Sequence, residues 1–157
     1  MTSRRIVASV VMIGLLVGCR GICLGQQQAT NPVREEPRYK CDTDGIRLQG
    51  TLIERTFYGP PGFGETPAQD AREKVFVLKL LYPITVEPTE EAQAKDSTSL
   101  ETFARVRKVQ LFVARTKTAE ARKMLGRTVT AIGVLREAVA PSEHVDVVMD
   151  VKTLSPK

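Results

Sequence analysis

The chain has 157 residues, with 23 Lys and Arg against 18 Asp and Glu and a net charge of +5. Removing Arg4 and Arg5 with a leader leaves 21 basic residues, about +3 in all, too mild a surplus to demand a polyanionic partner. With no Trp and a single His, most common routes to general-base catalysis and to metal binding are missing from the inventory.

Arg4 and Arg5 precede thirteen uncharged residues, Ile6 to Gly18, a run that ends in Leu16-Val17-Gly18-Cys19 with Arg20 behind it. A positive start, an apolar middle and small residues at the end make a secretory signal. The run is too short for a spanning helix, which needs roughly 20 residues. Leu-Val-Gly-Cys also resembles the lipobox of bacterial lipoproteins, which implies acylation of Cys19 and cleavage in front of it. The sequence thus predicts an exported protein, lipid-anchored in the bacterial cell envelope and facing the periplasm. The alternative is a freely secreted or periplasmic protein cut after Gly25, which places Arg20 awkwardly inside the cleavage region. Residues 1–19 are read as signal, 20–43 as tether and 44–155 as one domain. The tether reading rests on Gln26 to Arg38, polar and with two prolines. Cys23 and Cys41 are a candidate disulfide in an oxidising space, and an unpaired Cys23 in the leader is the other reading.

The domain is expected to start near Gly45. Ile46, Leu48, Gly50 and Leu52 alternate with polar residues, as in a half-buried strand bent at Gly50. Phe57 to Glu65 is a turn-rich loop with three aromatics, Phe57, Tyr58 and Phe63. Tyr58 and Phe63 form a candidate recognition edge, unless Phe57 or Phe63 plugs the barrel mouth instead. Val75 to Leu81 predicts a second strand, apolar on both faces, with Pro83 ending it or lying at an edge. Glu87 to Thr102 reads as a loop. Val106 to Arg115 predicts a third strand with Val109, Leu111 and Val113 inward. Thr118 to Leu125 changes period: Thr118 can cap, Gly126 stops the turn, and Arg122 and Lys123 suit the negative end of the helix dipole. Thr128 to Arg136, with a central Gly133, and Val145 to Val151 complete the strands. Three strands, one short helix and two strands predict an all-β, five-stranded OB-fold-like Greek-key barrel, with a small open β-sandwich as the alternative.

These segments resemble a known family. Gly50-Thr51-Leu52, Gly59-Pro60-Pro61-Gly62-Phe63, Val109-Gln110-Leu111, Leu125-Gly126-Arg127-Thr128-Val129 and the run from His144 to Val151 are similar to the secreted bacterial domain of unknown function 4431 family, over roughly Gly45 to Leu154. The resemblance implies the fold and an exported address, and no activity. The family's late segment is richer in His, whereas His144 stands alone here, and Thr85 occupies a position where the family tends to carry Cys. The likeness therefore carries no metal or redox role to this chain.

The basic residues cluster. From Arg105 to Arg136 there are nine of them and one acid, Glu120. Arg115, Lys117, Arg122, Lys123 and Arg127 are the candidate binding residues, joined by Arg105, Arg107 and Lys108 into one rim near the helix. Stacking aromatics are scarce beside them, and export removes nucleic acid from reach, so nucleic acid is disfavoured. A solvated charged face is the plainer reading of the same residues. His144 reads as a hydrogen-bonded or exposed loop residue rather than a ligand, although Asp146 would share its face. Glu65, Asp70 and Glu73 read as solvated loop charges rather than a hydrolytic pair. The inventory predicts no cofactor, no metal and no catalysis, and favours a module that binds an envelope protein or an anionic envelope polymer. A small hydrolase or metal-dependent enzyme, and a protective or inhibitory protein that binds another protein, are the alternatives.

Overall fold

In the computed structural model, residues 35–90 and 101–157 are described, all within the compact unit Arg34–Lys157. The elements are β1 (Arg38–Lys40), β2 (Ile46–Tyr58), β3 (Arg72–Glu87), β4 (Phe103–Phe112), a 3-10 turn (Arg115–Lys117), α1 (Thr118–Lys123), β5 (Thr128–Glu137) and β6 (Val147–Pro156).

The sheet order is β1-β3-β2-β5-β6-β4, and β3 also pairs with β4, so five strands close on themselves. All seams of the barrel are antiparallel except β4–β6, which is parallel. This is the Greek-key barrel with one short helix between its third and fourth strands, and closure leaves no room for the open sandwich. The interior is built from alternate residues of each strand: Leu52, Leu78, Val109, Val129, Leu135 and Met149 are fully enclosed. Burial of one such side chain contributes about 1.5–3 kcal/mol, so the barrel stands on this set rather than on surface charge.

The mid-strand glycines sit where neighbouring backbone comes too near for a side chain. A Cβ on Gly50 would lie 2.4 Å from the Lys79 carbonyl oxygen, and one on Gly133 would lie 2.1 Å from that of Asp150. The β5–β6 register shifts between Ile132 and Gly133, so a bulge accompanies the second glycine.

Several expectations are corrected. Arg38–Lys40, read as tether, is a sixth strand running parallel to β3, with Pro37 O accepting from Thr85 N–H at 2.9 Å. β3 does not stop at Pro83 but runs on to Glu87. Lys79 pairs with Lys108 and Ile84 with Val106, so four residues of β3 face one of β4. Pro83, which has no N–H to give, falls inside that bulge, and Leu81 and Tyr82 are pushed outward. The third strand ends at Phe112, leaving Arg115 in the 3-10 turn. Thr118 is no cap: it is the first helical residue, and its Oγ1 reaches only the Ala114 carbonyl at 3.4 Å. Gly126 does end the helical segment, donating its N–H to Leu52 O at 2.8 Å. β6 begins at Val147 and buries Val147, Val148 and Met149 in succession, because both of its faces are covered there.

Candidate functional site

A groove of about 630 Å³ lies on the outer face where β2, β3 and β4 meet the β5–β6 loop. Arg55 and Phe57 come from the end of β2, Val77 from β3, Phe103 to Lys108 from β4, and His144 to Asp146 from the loop. Four cations surround it: Arg55, Arg105, Arg107 and Lys108, all exposed. Among the described residues none of the four has an ion-pair partner. Arg105 has a positive φ of 56°, which a long side chain adopts only under tertiary constraint and which breaks the alternation along β4.

One end of the groove is built on the β2–β3 hairpin. Phe57 faces Glu73 in the antiparallel register. The His144 ring lies flat on Phe57, centroids 4.5 Å apart and 4° from parallel, and its Nε2 is 3.1 Å from Glu73 Oε2. The loop that carries His144 is held at two further points. Gln110, only 1% exposed on β4, accepts from the His144 backbone N–H at 2.8 Å and donates its Nε2 to Ser142 O at 3.1 Å. Glu143 accepts from the N–H groups of Val139 (2.6 Å) and Ala140 (2.9 Å) and pairs with Arg136 at 2.5 Å. Arg136 also donates to Asp150 at 3.0 Å, with its guanidinium 5.3 Å from the Phe112 ring centroid. Burial alone would push the Glu143 carboxyl up, but its two backbone donors and Arg136 outweigh this and hold it below the ordinary range. Glu137 goes the other way: burial raises it, and Glu101 adds to the rise. The result is a loop fixed before any partner arrives.

The remaining loop between β2 and β3 is held by its own acid. Asp70 accepts from Gly62 N–H (2.8 Å), Gly64 N–H (2.7 Å) and Thr66 Oγ1 (2.9 Å). Partial burial pushes its carboxyl up, and these donors together bring it below the usual range. Asp70 thus braces the loop, Glu73 engages His144, and Glu65 is exposed, so the three acids do not converge on one cleft.

The sequence-predicted binding residues are only partly brought together. Arg105, Arg107 and Lys108 line the groove. Arg115, Lys117, Arg122, Lys123 and Arg127 do not, because the chain turns a corner after Phe112 and carries them away on the 3-10 turn and α1. Lys117 Nζ donates to Lys152 O at 3.0 Å, and Arg122 Nε lies 3.7 Å from Glu54 Oε1. Tyr58 is covered by the Arg72 guanidinium, 3.8 Å from its ring centroid. Phe63 stands 40% exposed at the loop tip, with φ at 50°. Neither Phe57 nor Phe63 packs against the core, so neither plugs the barrel mouth; Phe57 instead stacks on His144 in the groove. Cys41 is a buried free thiol whose pKa is pushed up to about 11, first by burial and then by Asp42 and Glu137. Cys19 and Cys23 lie outside the described residues, and among those residues no three His, Cys, Asp or Glu side chains gather as metal ligands. Sequence reasoning missed Arg55, Gln110 and Arg136. Arg55 and Arg136 carried no signal beyond their charge, and Gln110, between inward Val109 and Leu111, read as an ordinary outward polar residue.

Set against protein-family models, curated proteins and solved structures, the chain has no match to any of the three.

Proposed function

We propose that this chain is an exported, lipid-anchored envelope protein whose barrel binds a linear anionic polymer, without catalysis, along the groove between β2 and β4. The observation that carries the reading is the ring of four cations without described ion-pair partners around that groove. Barrels of this topology present the face of their second and third strands, with the loops after the first and fourth, to oligonucleotides and oligosaccharides. Here those strands are β3 and β4, and the loop after the fourth, β5–β6, is held by Gln110 and Arg136. Arginine and lysine on exposed strand positions suit repeated phosphate or carboxylate groups, and a preset groove spares the partner the cost of ordering it. The Cys19 anchor reading of the lipobox keeps the groove in the envelope, where such polymers are found and nucleic acid is not.

Fluorescence anisotropy with labelled polygalacturonate and labelled inorganic polyphosphate tests the reading. Binding of either should weaken as salt rises. Reversing Arg105, Arg107 and Lys108 to Glu should weaken it by about ten- to a hundredfold, since each exposed charge contact contributes about 0.2–1 kcal/mol and reversal adds repulsion. Reversing Arg122 and Lys123 should leave it unchanged. Equal binding by the β4 triple variant and the unaltered protein would reject the groove.

A further inference from the structure

Another hollow of the barrel lies beside the β3 bulge. It measures about 220 Å³ and is lined by Pro37, Tyr39, Leu48, Leu80 and the two bulge residues Leu81 and Tyr82. Leu81 is 44% exposed and Tyr82 56%, two of the four large apolar residues left exposed in the described barrel. They are adjacent, and the bulge aims both outward, so the strand departs from its ladder to present them. Arg47, which lines the hollow, and Lys79, two residues before Leu81, are exposed and have no ion-pair partner among the described residues.

We infer that the Leu81–Tyr82 bulge is a membrane-docking foot, which seats the barrel on the anionic lipid surface to which the chain is anchored. The inference rests on the Cys19 anchor reading. Its particular support is where the anchored chain arrives. Fifteen residues separate Cys19 from Glu35, a span of about 50 Å even at full extension. The chain then joins the barrel at the foot: Pro37 and Tyr39 line the same hollow, and Pro37 O is bonded to Thr85 N–H, three residues beyond Tyr82. Of all outward surfaces, the one at the point of attachment meets the bilayer most often. Its chemistry suits the interface. Tyrosine sets its ring at headgroup level, leucine adds apolar depth, and Arg47 and Lys79 reach anionic headgroups from stems lying on the surface. The anchor supplies the attachment and the foot supplies the orientation, at the high effective concentration that a short link creates.

The chain has no Trp, so one introduced Trp reports alone. Leu81→Trp and Val139→Trp are prepared as the full acylated chain in phosphatidylethanolamine–phosphatidylglycerol vesicles with brominated acyl chains. Val139 is 83% exposed on the β5–β6 loop, lines no part of this hollow and serves as the reporter outside it. Emission from position 81 should shift to the blue and lose most of its intensity to the bromines, and emission from position 139 should keep both. Arg47→Glu with Lys79→Glu should restore much of the emission at position 81. Equal quenching at the two positions, or none at either, overturns the foot. Intact mass tests the anchor separately: if Cys19 carries no lipid, the chain is held on the same vesicles through an N-terminal histidine tag and a chelating lipid, and the same two outcomes decide. Sedimentation of unlipidated Cys19→Ala chain gives the rival occupant. A dimer abolished by Tyr82→Asp assigns the patch to a second copy and overturns the inference. Lys79 faces Lys108 across the β3–β4 seam, so the groove control is Arg55→Glu, opposite Val75 and away from the bulge, which should leave quenching at position 81 intact.

Discussion

Replacing Gln110 by Leu tests whether the β5–β6 loop is positioned from β4. Leucine nearly matches glutamine in volume, so the change removes two hydrogen bonds without opening a large cavity. The His144 N–H loses its acceptor at 2.8 Å and Ser142 O its donor at 3.1 Å. Each bond contributes about 0.5–1.5 kcal/mol net, and an orphaned group that cannot reach water costs more. Because Ser142 is exposed, the loop can lift and let both groups hydrate, which caps the loss at about 1–3 kcal/mol. For a domain of this size that lowers the melting temperature by about 5–15 °C. Gln110→Glu sharpens the test. Only the protonated acid can both donate to Ser142 O and accept from His144 N–H, and a carboxylate enclosed as Gln110 is has its folded pKa raised above the unfolded one. Its deficit must therefore grow as pH rises and shrink as pH falls. Differential scanning calorimetry reads stability, and amide exchange at His144 reads the loop. An unchanged melting point with unchanged protection at His144 in the Leu variant would refute the reasoning, as would a Glu variant whose deficit ignores pH.

Three further outcomes are expected. Gly133→Ala should cost about 2–3 kcal/mol in chemical denaturation, since its Cβ would meet the Asp150 carbonyl oxygen at 2.1 Å and backbone yields little; an unaltered midpoint would remove the close approach from the account. Glu143 has its folded pKa depressed, so the stability it contributes is present above its unfolded value near 4.5 and disappears as pH falls through the folded one. Arg136→Ala should flatten that acid limb in a stability-against-pH series, and an unchanged slope would show that the pair is not linked to folding. In a chain with Cys19 and Cys23 replaced by Ser, Cys41 should react with a maleimide orders of magnitude more slowly when folded than in denaturant, because a thiol raised to about 11 and enclosed in the core offers little thiolate; labelling as fast as a free thiol would contradict its burial.

The barrel was legible where side chains repeat with period two. Ile46, Leu48 and Leu52 on β2, and Val109 and Leu111 on β4, face inward as their spacing requires. The glycines at 50 and 133 pointed to the bends because no other residue tolerates backbone so near. Arg38–Lys40 was illegible: three residues cannot display an alternation, and a preceding proline suits a linker as well as an edge. Pro83 misled because a proline ends a strand only where its N–H would have been needed, and the β3 bulge needs none. The groove was half legible. Its β4 cations lay inside the basic run, but Arg55 and His144 join them only once β3 pairs with β4 and the barrel shuts. The same run also holds the α1 cations, which line no part of that groove, since contiguity in sequence says nothing about the corner after Phe112 that separates them.

The double tie on the β5–β6 loop makes its outermost residues replaceable. Gln110 and Arg136 grip the loop through backbone groups and Glu143, and neither grip uses the side chains of Val139, Ala140, Pro141 or Ser142. Those four positions can be rewritten while the groove wall behind them stays in place. The barrel is therefore a display scaffold with one exchangeable edge. A library randomised at 139–142 should yield proteins that fold alike and differ in what they hold, whereas the same variation at 143 and 144 should cost the wall itself.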